Sequence, residues 1–347
     1  MISEQTLPQD ERHPIQDLAL ESESTGTENV EEISIRPRFL AELIGREREK
    51  EVLNLLMSPV KAGNQKHVDH ILFYGPPGLG KTTFANIVAN ELGVNMKITS
   101  GPAIERQGDI VALLTNLAEG DVLFIDEIHR MRKNIEEVLY PAMEDFKVDI
   151  MMGQGPGAQS VRLSLPRFTL VGATTRIGML SSPLRDRFGA HIHLDFFSND
   201  ELISLLRRIL KNEQIDVEAD ALLEIAKRSR GTARIAIRLL RRVKEYMLAN
   251  AHNNVVTLKM AQKTLSLLGI DSLGLDDLDR KILQSIFAKF EGGPVGIKTL
   301  AAALSEDEET IEDVYEPYLM RAGLLKRTPR GRIITEHAVR HLEITEV

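Results

Sequence analysis

Between the apolar run Ile71, Leu72, Phe73, Tyr74 and a helix-forming run over residues 84–92 stand Gly75, Pro76, Pro77, Gly78, Leu79, Gly80, Lys81, Thr82 and Thr83. Glycine lacks a Cβ, so glycines at this spacing let the backbone fold back on itself. Several N–H groups and the positive end of the following helix then aim at one point. The group that such a cradle holds is a phosphate chain. Lys81 reaches the β- and γ-phosphates of a nucleotide, and the Thr82 hydroxyl is placed to ligate Mg²⁺. The order strand, loop, helix separates this pattern from a merely glycine-rich turn. The loop alone does not name the work done with the nucleotide.

Forty-five residues after Lys81, the apolar stretch Val122, Leu123, Phe124, Ile125 delivers Asp126 and Glu127. A buried strand ending in two acids divides the labour: Asp126 holds Mg²⁺ through water, and Glu127 polarises an attacking water. His129 follows, without further metal ligands at suitable spacing. His191 and His193, on alternate residues of a strand, read as structural. A second apolar strand runs through Val171, Gly172 and Ala173 to Thr174, Thr175 and Arg176. A polar residue ending that strand beside Asp126 hydrogen-bonds the γ-phosphate or the lytic water, and Thr175 is the choice. Arg187 lies just beyond, in Pro183-Leu184-Arg185-Asp186-Arg187-Phe188-Gly189. An arginine at a domain edge stabilises transition-state charge in a neighbouring subunit, or else forms a surface ion pair. Arg234 falls in the first turn of a helix after Gly231, where it can bridge a second domain to the nucleotide.

These residues need a parallel sheet to position them. Strands are expected at residues 71–74, 94–99, 122–125, 168–173 and 191–195, with helix-length segments between most of them. Ligands then sit at the carboxyl ends of the strands. From residue 198 the periodicity is helical and no strand is evident. After 269–274, helices at 276–290, near 298–304 and at 308–321 precede a hairpin over 324–335, turning at Pro329, Arg330 and Gly331. Three helices and a terminal hairpin make a winged helix. The fold class is α/β, with a sheet domain at 33–197, a small all-helical domain at 198–271 and a winged helix at 272–347.

The 347 residues carry no cysteine, which excludes disulfides and thiolate metal sites. No apolar run nears the length of a membrane span and the first residues are too polar for a signal peptide, so a cytoplasmic location is expected. The net charge is −8, but residues 1–32 hold nine acids against one base. That segment reads as a disordered acidic tail. The rest is formally neutral and has room for basic faces. One lies on 227–244, with eight bases and no acid, most of them on a solvated helix face. Another is the terminal hairpin, where Arg321, Lys326, Arg327, Arg330 and Arg332 are accompanied by no acid over 321–332. Such a wing contacts DNA phosphates without reading sequence, and Arg327, Arg330 and Arg332 are its candidates. Within 148–157, Ile150, Met151 and Met152 flank a glycine-rich hairpin tip, where apolar side chains mark a protein interface.

Taken as strings, Ile35-Arg36-Pro37, residues 75–91, Val138-Leu139-Tyr140-Pro141-Ala142-Met143-Glu144-Asp145, residues 172–176 and 183–189, and Arg327-Thr328-Pro329-Arg330-Gly331-Arg332 resemble the AAA+ ATPases. Among these, the chain is similar to the motors that drive branch migration of Holliday junctions, over roughly residues 35–345. The resemblance implies an ATP hydrolase using ATP and Mg²⁺, with Lys81, Thr82, Asp126, Glu127, Thr175, Arg187 and Arg234 in the roles described. It adds Ile35, Arg36, Gly75, Gly78, Gly80, Thr83, Glu144, Asp145, Phe146 and the ring of Phe197 to the nucleotide pocket. It implies a ring, most often a hexamer, acting in recombination and DNA repair. Its implied partners are the junction-binding protein RuvA, docked at the 148–157 hairpin, and RuvC in the resolving complex. Ala233 departs from the family's usual proline, Phe197 from its common tyrosine, and the acidic tail is longer than usual. AAA+ unfoldases and clamp loaders would favour an aromatic pore loop or a cysteine-bearing sensor. A nucleotide-switched initiator would not need Glu127, Thr175 and Arg187 together.

Overall fold

The structure is a computed structural model that describes residues 36–152, 159–211, 213, 215–250 and 254–345. The acidic segment 1–32, Ile35 and the glycine-rich hairpin tip lie outside the described residues. Five strands form one parallel sheet: β1 (Ile71–Tyr74), β2 (Met96–Ser100), β3 (Val122–Asp126), β6 (Thr169–Thr174) and β7 (Ala190–His193), in the order β2-β3-β6-β1-β7. The antiparallel pair β4 (Lys147–Met152) and β5 (Gln159–Ser164) stands apart from it. Helices cover both faces of the sheet, so the central strands are apolar almost throughout. Every residue of β6 is buried. Gly172 in β6 is required by packing, because a Cβ there would lie 2.9 Å from Phe188 Cζ.

The loops that matter leave the carboxyl ends of β1, β3 and β6, which lie side by side in the sheet. The next part of the chain is a helical domain that starts with a capping box. Ser198 Oγ accepts the Glu201 N–H while the Glu201 carboxylate accepts the Ser198 N–H. Leu202, Leu206, Leu222, Ile225, Leu239, Leu240, Val243 and Leu265 close its core. Contrary to the all-helical expectation, it contains a parallel pair of two-residue strands, β8 (Asp216–Val217) and β9 (Val255–Val256). Strands that short show no period-two pattern in sequence.

The last domain packs the helices Asp277–Lys289, Ile297–Leu304 and Glu316–Arg321 against a hairpin of β10 (Leu325–Thr328) and β11 (Gly331–Ile334). Val295 adds an isolated antiparallel bridge to Arg332. Its core includes Leu275, Ile282, Ile286, Leu300, Ile311, Leu319 and Leu324. The helix expected over 308–321 is not continuous: Ile311–Tyr315 forms a π-turn between short α-segments. Pro317 has no N–H to give the Asp313 carbonyl, and the ladder slips to a wider register there. Glu312 and Asp313 sit on that turn and reach the sheet domain. Arg176 Nε donates to Asp313 Oδ1 at 2.5 Å, and Arg176 Nη2 lies 3.6 Å from Glu312 Oε2.

Candidate nucleotide and DNA sites

Residues 75–80 carry the chain from β1 into the helix Lys81–Leu92. Gly75, Gly78 and Gly80 have φ of 141°, 77° and 92°. At Gly75 the space is closed as well, since a Cβ would lie 2.2 Å from the Leu194 carbonyl oxygen. Lys81 opens the helix and is buried; its Nζ donates to the carbonyls of Gly75 at 2.9 Å and Pro76 at 3.0 Å. Burial pushes the ammonium below its ordinary pKa, against the pull of Asp126 and Glu127 and assisted by Arg234. An anionic ligand would restore that charge balance. Thr82 and Thr83 are half-buried in the same first turn.

Asp126 ends β3, and its Oδ1 accepts the Glu127 N–H at 2.9 Å. Glu127 has a φ of 48°, a left-handed conformation that throws its side chain off the strand line. Its main chain is tightly boxed, because a Cβ on Gly101 would lie 2.4 Å from the Glu127 carbonyl oxygen. Burial first, and Asp126 second, raise the Glu127 pKa, with Lys81 opposing. A carboxylate made more basic in this way is suited to accept a proton from water.

Thr175 follows β6, and its Oγ1 is buried with no hydrogen-bond partner among the described residues. An orphaned hydroxyl that lines a cavity with Pro76 and Pro77 of the loop fits a phosphate oxygen or a bound water. Arg234 approaches the loop from the helical domain: its Cβ lies 3.4 Å from where a Cβ on Gly78 would stand. Lys81, Thr82, Asp126, Glu127, Thr175 and Arg234 therefore gather around one loop. The donor set of a hydroxyl, a carboxylate and water suits Mg²⁺, which prefers oxygen ligands and keeps several waters.

Phe197 lies where the chain passes into the helical domain, its N–H donating to the Gly231 carbonyl at 2.8 Å. Its ring is buried, with the Arg46 guanidinium 4.1 Å from the centroid. Arg46 was missed in the sequence. It is buried, has a φ of 63°, and donates to the Asp195 carbonyl. No motif marks it, because Asp195 and Phe197 lie about 150 residues on. Arg36 is exposed.

Glu144, Asp145, Phe146 and Arg187 are not brought to this loop. His70, which immediately precedes β1, has its Nε2 3.1 Å from the Met143 carbonyl. Glu144 therefore lies at the amino end of β1, whereas Gly75 leaves its carboxyl end. Phe146 packs edge-on to Phe168, with ring centroids 5.8 Å apart. Arg187 Nη2 is 3.1 Å from Glu144 Oε1, its guanidinium lies 4.5 Å from the Tyr140 centroid, and Nη1 donates to the Pro183 carbonyl at 2.5 Å. These residues cannot complete a nucleotide pocket within one chain. They form a second cluster at another edge of the domain.

The wing requires a correction. Arg332, expected to face DNA, is buried: Nε lies 2.5 Å from Glu316 Oε1 and Nη2 lies 2.6 Å from Glu312 Oε1. Both acids stand on the preceding helical segment, N-terminal to the acid-free stretch 321–332. Arg327 is half-exposed but lies 3.3 Å from Glu312 and 3.9 Å from Glu316. Lys326 and Arg330 are exposed. At the other hairpin, the β4–β5 pairing expected from sequence is present. Ile150, however, is partly buried against the chain's own sheet-domain core rather than free at the surface. The tip and the side chains of Met151 and Met152 lie outside the described residues.

Family models match the three parts of the chain in turn. Residues 35–194 match the Holliday junction DNA helicase RuvB P-loop domain, 197–271 the RuvB AAA lid domain and 272–343 the RuvB C-terminal winged helix domain. Among solved structures, the Thermotoga maritima RuvB Holliday junction branch migration motor is 48% identical, with a TM-score of 0.81, covering 89% of this chain and 98% of that one. A lysine-to-arginine variant of Thermotoga maritima RuvB gives 48% identity over the same shares and a TM-score of 0.83. A proline-to-glycine variant gives 49% over the same shares and 0.82. With nearly half its residues identical over almost the full length of those structures, and a loop, acid pair and winged helix arranged as described, the chain belongs to the RuvB family of AAA+ P-loop motors.

Proposed function

We propose that the chain hydrolyses ATP to ADP and phosphate, and that this drives duplex DNA through a ring of subunits to migrate a Holliday junction. The observation that carries this reading is the separation within one chain. Lys81, Asp126, Glu127 and the orphaned Thr175 hydroxyl surround one loop, while Arg187 sits with Glu144 at another edge. Two chains side by side would unite them. Lys81 and Arg234 bind and orient the phosphates, Thr175 holds the γ-phosphate or the water, and Glu127 takes the water's proton. Mg²⁺, held by Thr82 and through water by Asp126, would neutralise charge on the phosphates. A neighbour's Arg187, with Glu144, Asp145 and Phe146 around it, would close the pocket. The pocket would also draw on Ile35, Arg36, Thr83 and Phe197. The three segments 33–197, 198–271 and 272–347 would act as motor, lid and DNA-contacting domain.

The ring is proposed as a hexamer, in the cytoplasm, with RuvA docking on the β4–β5 hairpin through Met151 and Met152 and RuvC joining the resolving complex. Among the described residues, no helix is long and apolar enough to cross a membrane. The test is ATPase activity with and without DNA, together with branch migration of a four-way junction, each with and without RuvA. DNA-stimulated turnover and junction movement are expected. Nucleotide binding without turnover would favour an initiator-like switch instead.

The wing yields a paired prediction. Arg330→Ala is expected to leave unfolding unchanged, weaken DNA binding for all sequences alike, and reduce the salt slope by about one. Arg332→Ala instead strands Glu316 in the interior and is expected to cost about 3 kcal/mol of stability. Urea unfolding and salt-dependent DNA binding separate the two. A stable Arg332→Ala protein with a selective loss of DNA affinity would reverse this assignment.

A further inference from the structure

His129 has no role in the chemistry described so far, yet both of its ring nitrogens face polar side chains. The short turn Ile128–Arg130 tucks the ring inside the fold, leaving its side chain 3% exposed. Nδ1 lies 2.9 Å from Thr174 Oγ1, and Nε2 lies 3.4 Å from Glu127 Oε2. Thr174 is fully buried, ends β6, and immediately precedes Thr175. Its Oγ1 also accepts the Arg176 N–H at 3.0 Å. A ring 45 residues from Thr174 in sequence thus spans the gap between the acid pair on β3 and the strand that bears Thr175.

The proton positions follow from the partners. Nε2 faces a carboxylate oxygen, and a bare lone pair there would be repelled, so Nε2 carries the hydrogen. Nδ1 is then an acceptor, and the Thr174 hydroxyl donates to it while the same oxygen accepts from Arg176. Burial lowers the His129 pKa, in keeping with a neutral ring. A metal role does not compete, since the described residues contain no group of three ligating side chains. A ring that only filled space would not need both nitrogens aimed at the two sides of one site. Among the described residues, His129 is the only basic side chain within ion-pair distance of the Glu127 carboxylate.

We propose that His129 is a positioning residue for ATP hydrolysis, holding the Glu127 carboxylate and tying its orientation, through Thr174, to the strand that carries Thr175. This rests on the hydrolytic reading above. The water between Glu127 and the γ-phosphate would then be aligned by two groups that move together.

The test measures kcat and nucleotide affinity in the full-length protein with junction DNA. His129→Phe is expected to lower kcat ten- to hundredfold, roughly the loss seen when an outer partner of a catalytic group is removed, with nucleotide affinity held within about twofold. His129→Asn, which keeps a donor and an acceptor, is expected to recover a large part of the loss. Thr174→Val should lower kcat roughly tenfold, and Thr174→Ser should restore it. The double variant His129→Phe with Thr174→Val should be no slower than His129→Phe alone, because the link is already cut.

Losses that multiply, a kcat within twofold of the parent, or a change confined to KM would each overturn the proposal. If His129→Phe fails to melt cooperatively, the Thr174→Val and Thr174→Ser pair decides, and a Thr174→Val protein at parental kcat rejects it. A parent protein that does not hydrolyse ATP overturns the hydrolytic reading and this proposal together. An active parent with equally active variants overturns this proposal alone.

Discussion

Replacing Arg187 with alanine is expected to leave nucleotide affinity near that of the parent and to lower ATP turnover by about 10³-fold, the scale of an arginine finger. The expectation comes from where the guanidinium sits. It is paired with Glu144 at 3.1 Å and lies over the Tyr140 ring, near the end of the sheet opposite its own phosphate loop. A side chain so placed cannot stabilise charge on a phosphoryl group bound in its own subunit. It can do so for a neighbour, and hydrolysis then depends on assembly. Arg187→Lys should recover little, because an ammonium lacks the planar fork that spans two phosphate oxygens. Mixing the Arg187→Ala protein with a Lys81→Ala protein provides the sharper check. Each is expected to be inactive alone, and mixed rings contain some interfaces with an intact Lys81 facing an intact Arg187. Partial recovery of turnover on mixing is expected. Normal turnover by Arg187→Ala alone would remove the trans assignment.

Replacing Glu127 with glutamine is expected to lower kcat by roughly 10²- to 10⁴-fold, the usual contribution of a positioned general base. The carboxamide matches the carboxylate in shape, so nucleotide and DNA binding should survive. What is lost is the ability to take a proton from water. Burial and the adjacent Asp126 raise the pKa of this group, which is the direction a base needs. Asp126 is different: it accepts the Glu127 N–H, and under the proposed function it would hold Mg²⁺ through water. Asp126→Asn should therefore weaken Mg²⁺-dependent binding as well as turnover. Titration of a fluorescent nucleotide alongside steady-state turnover distinguishes the two losses. A Glu127→Gln protein that turns over within threefold of the parent would place the base elsewhere.

Much of this site could be read before any coordinates, and the reason is local. The loop from Gly75 to Thr83 acts through consecutive backbone N–H groups and a helix start, so its residues are contiguous. The strands carrying Asp126 and Thr175 are buried on both faces and appear as unbroken apolar runs. Only their ends shift: β3 runs over Val122–Asp126 rather than 122–125, and β6 over Thr169–Thr174 rather than 168–173. What escaped was non-local. Arg332 looked like one of five free cations because the acids that neutralise it, Glu312 and Glu316, lie on a helix outside the hairpin. Ile150 looked exposed because a hairpin arm does not reveal which core lies beneath it. His129 was set aside as a histidine without metal ligands, since nothing nearby in sequence points to Thr174.

By itself the amino-acid order determined the chemistry: a phosphate loop, an acid pair, a polar strand end, an arginine at a domain edge and a basic wing. Glycine spacing, apolar runs and helix starts act over a few residues, and their physics is legible in one dimension. Only the tertiary structure decided how these pieces share the work. Folding set Arg187 at another edge from its own loop, buried Arg332 between two acids, and left the Thr175 hydroxyl without a partner among the described residues. It also set His129 between Glu127 and Thr174. Each of these depends on which distant side chains meet. Charge pairing and desolvation act through space, and the order of residues along a chain does not disclose those distances.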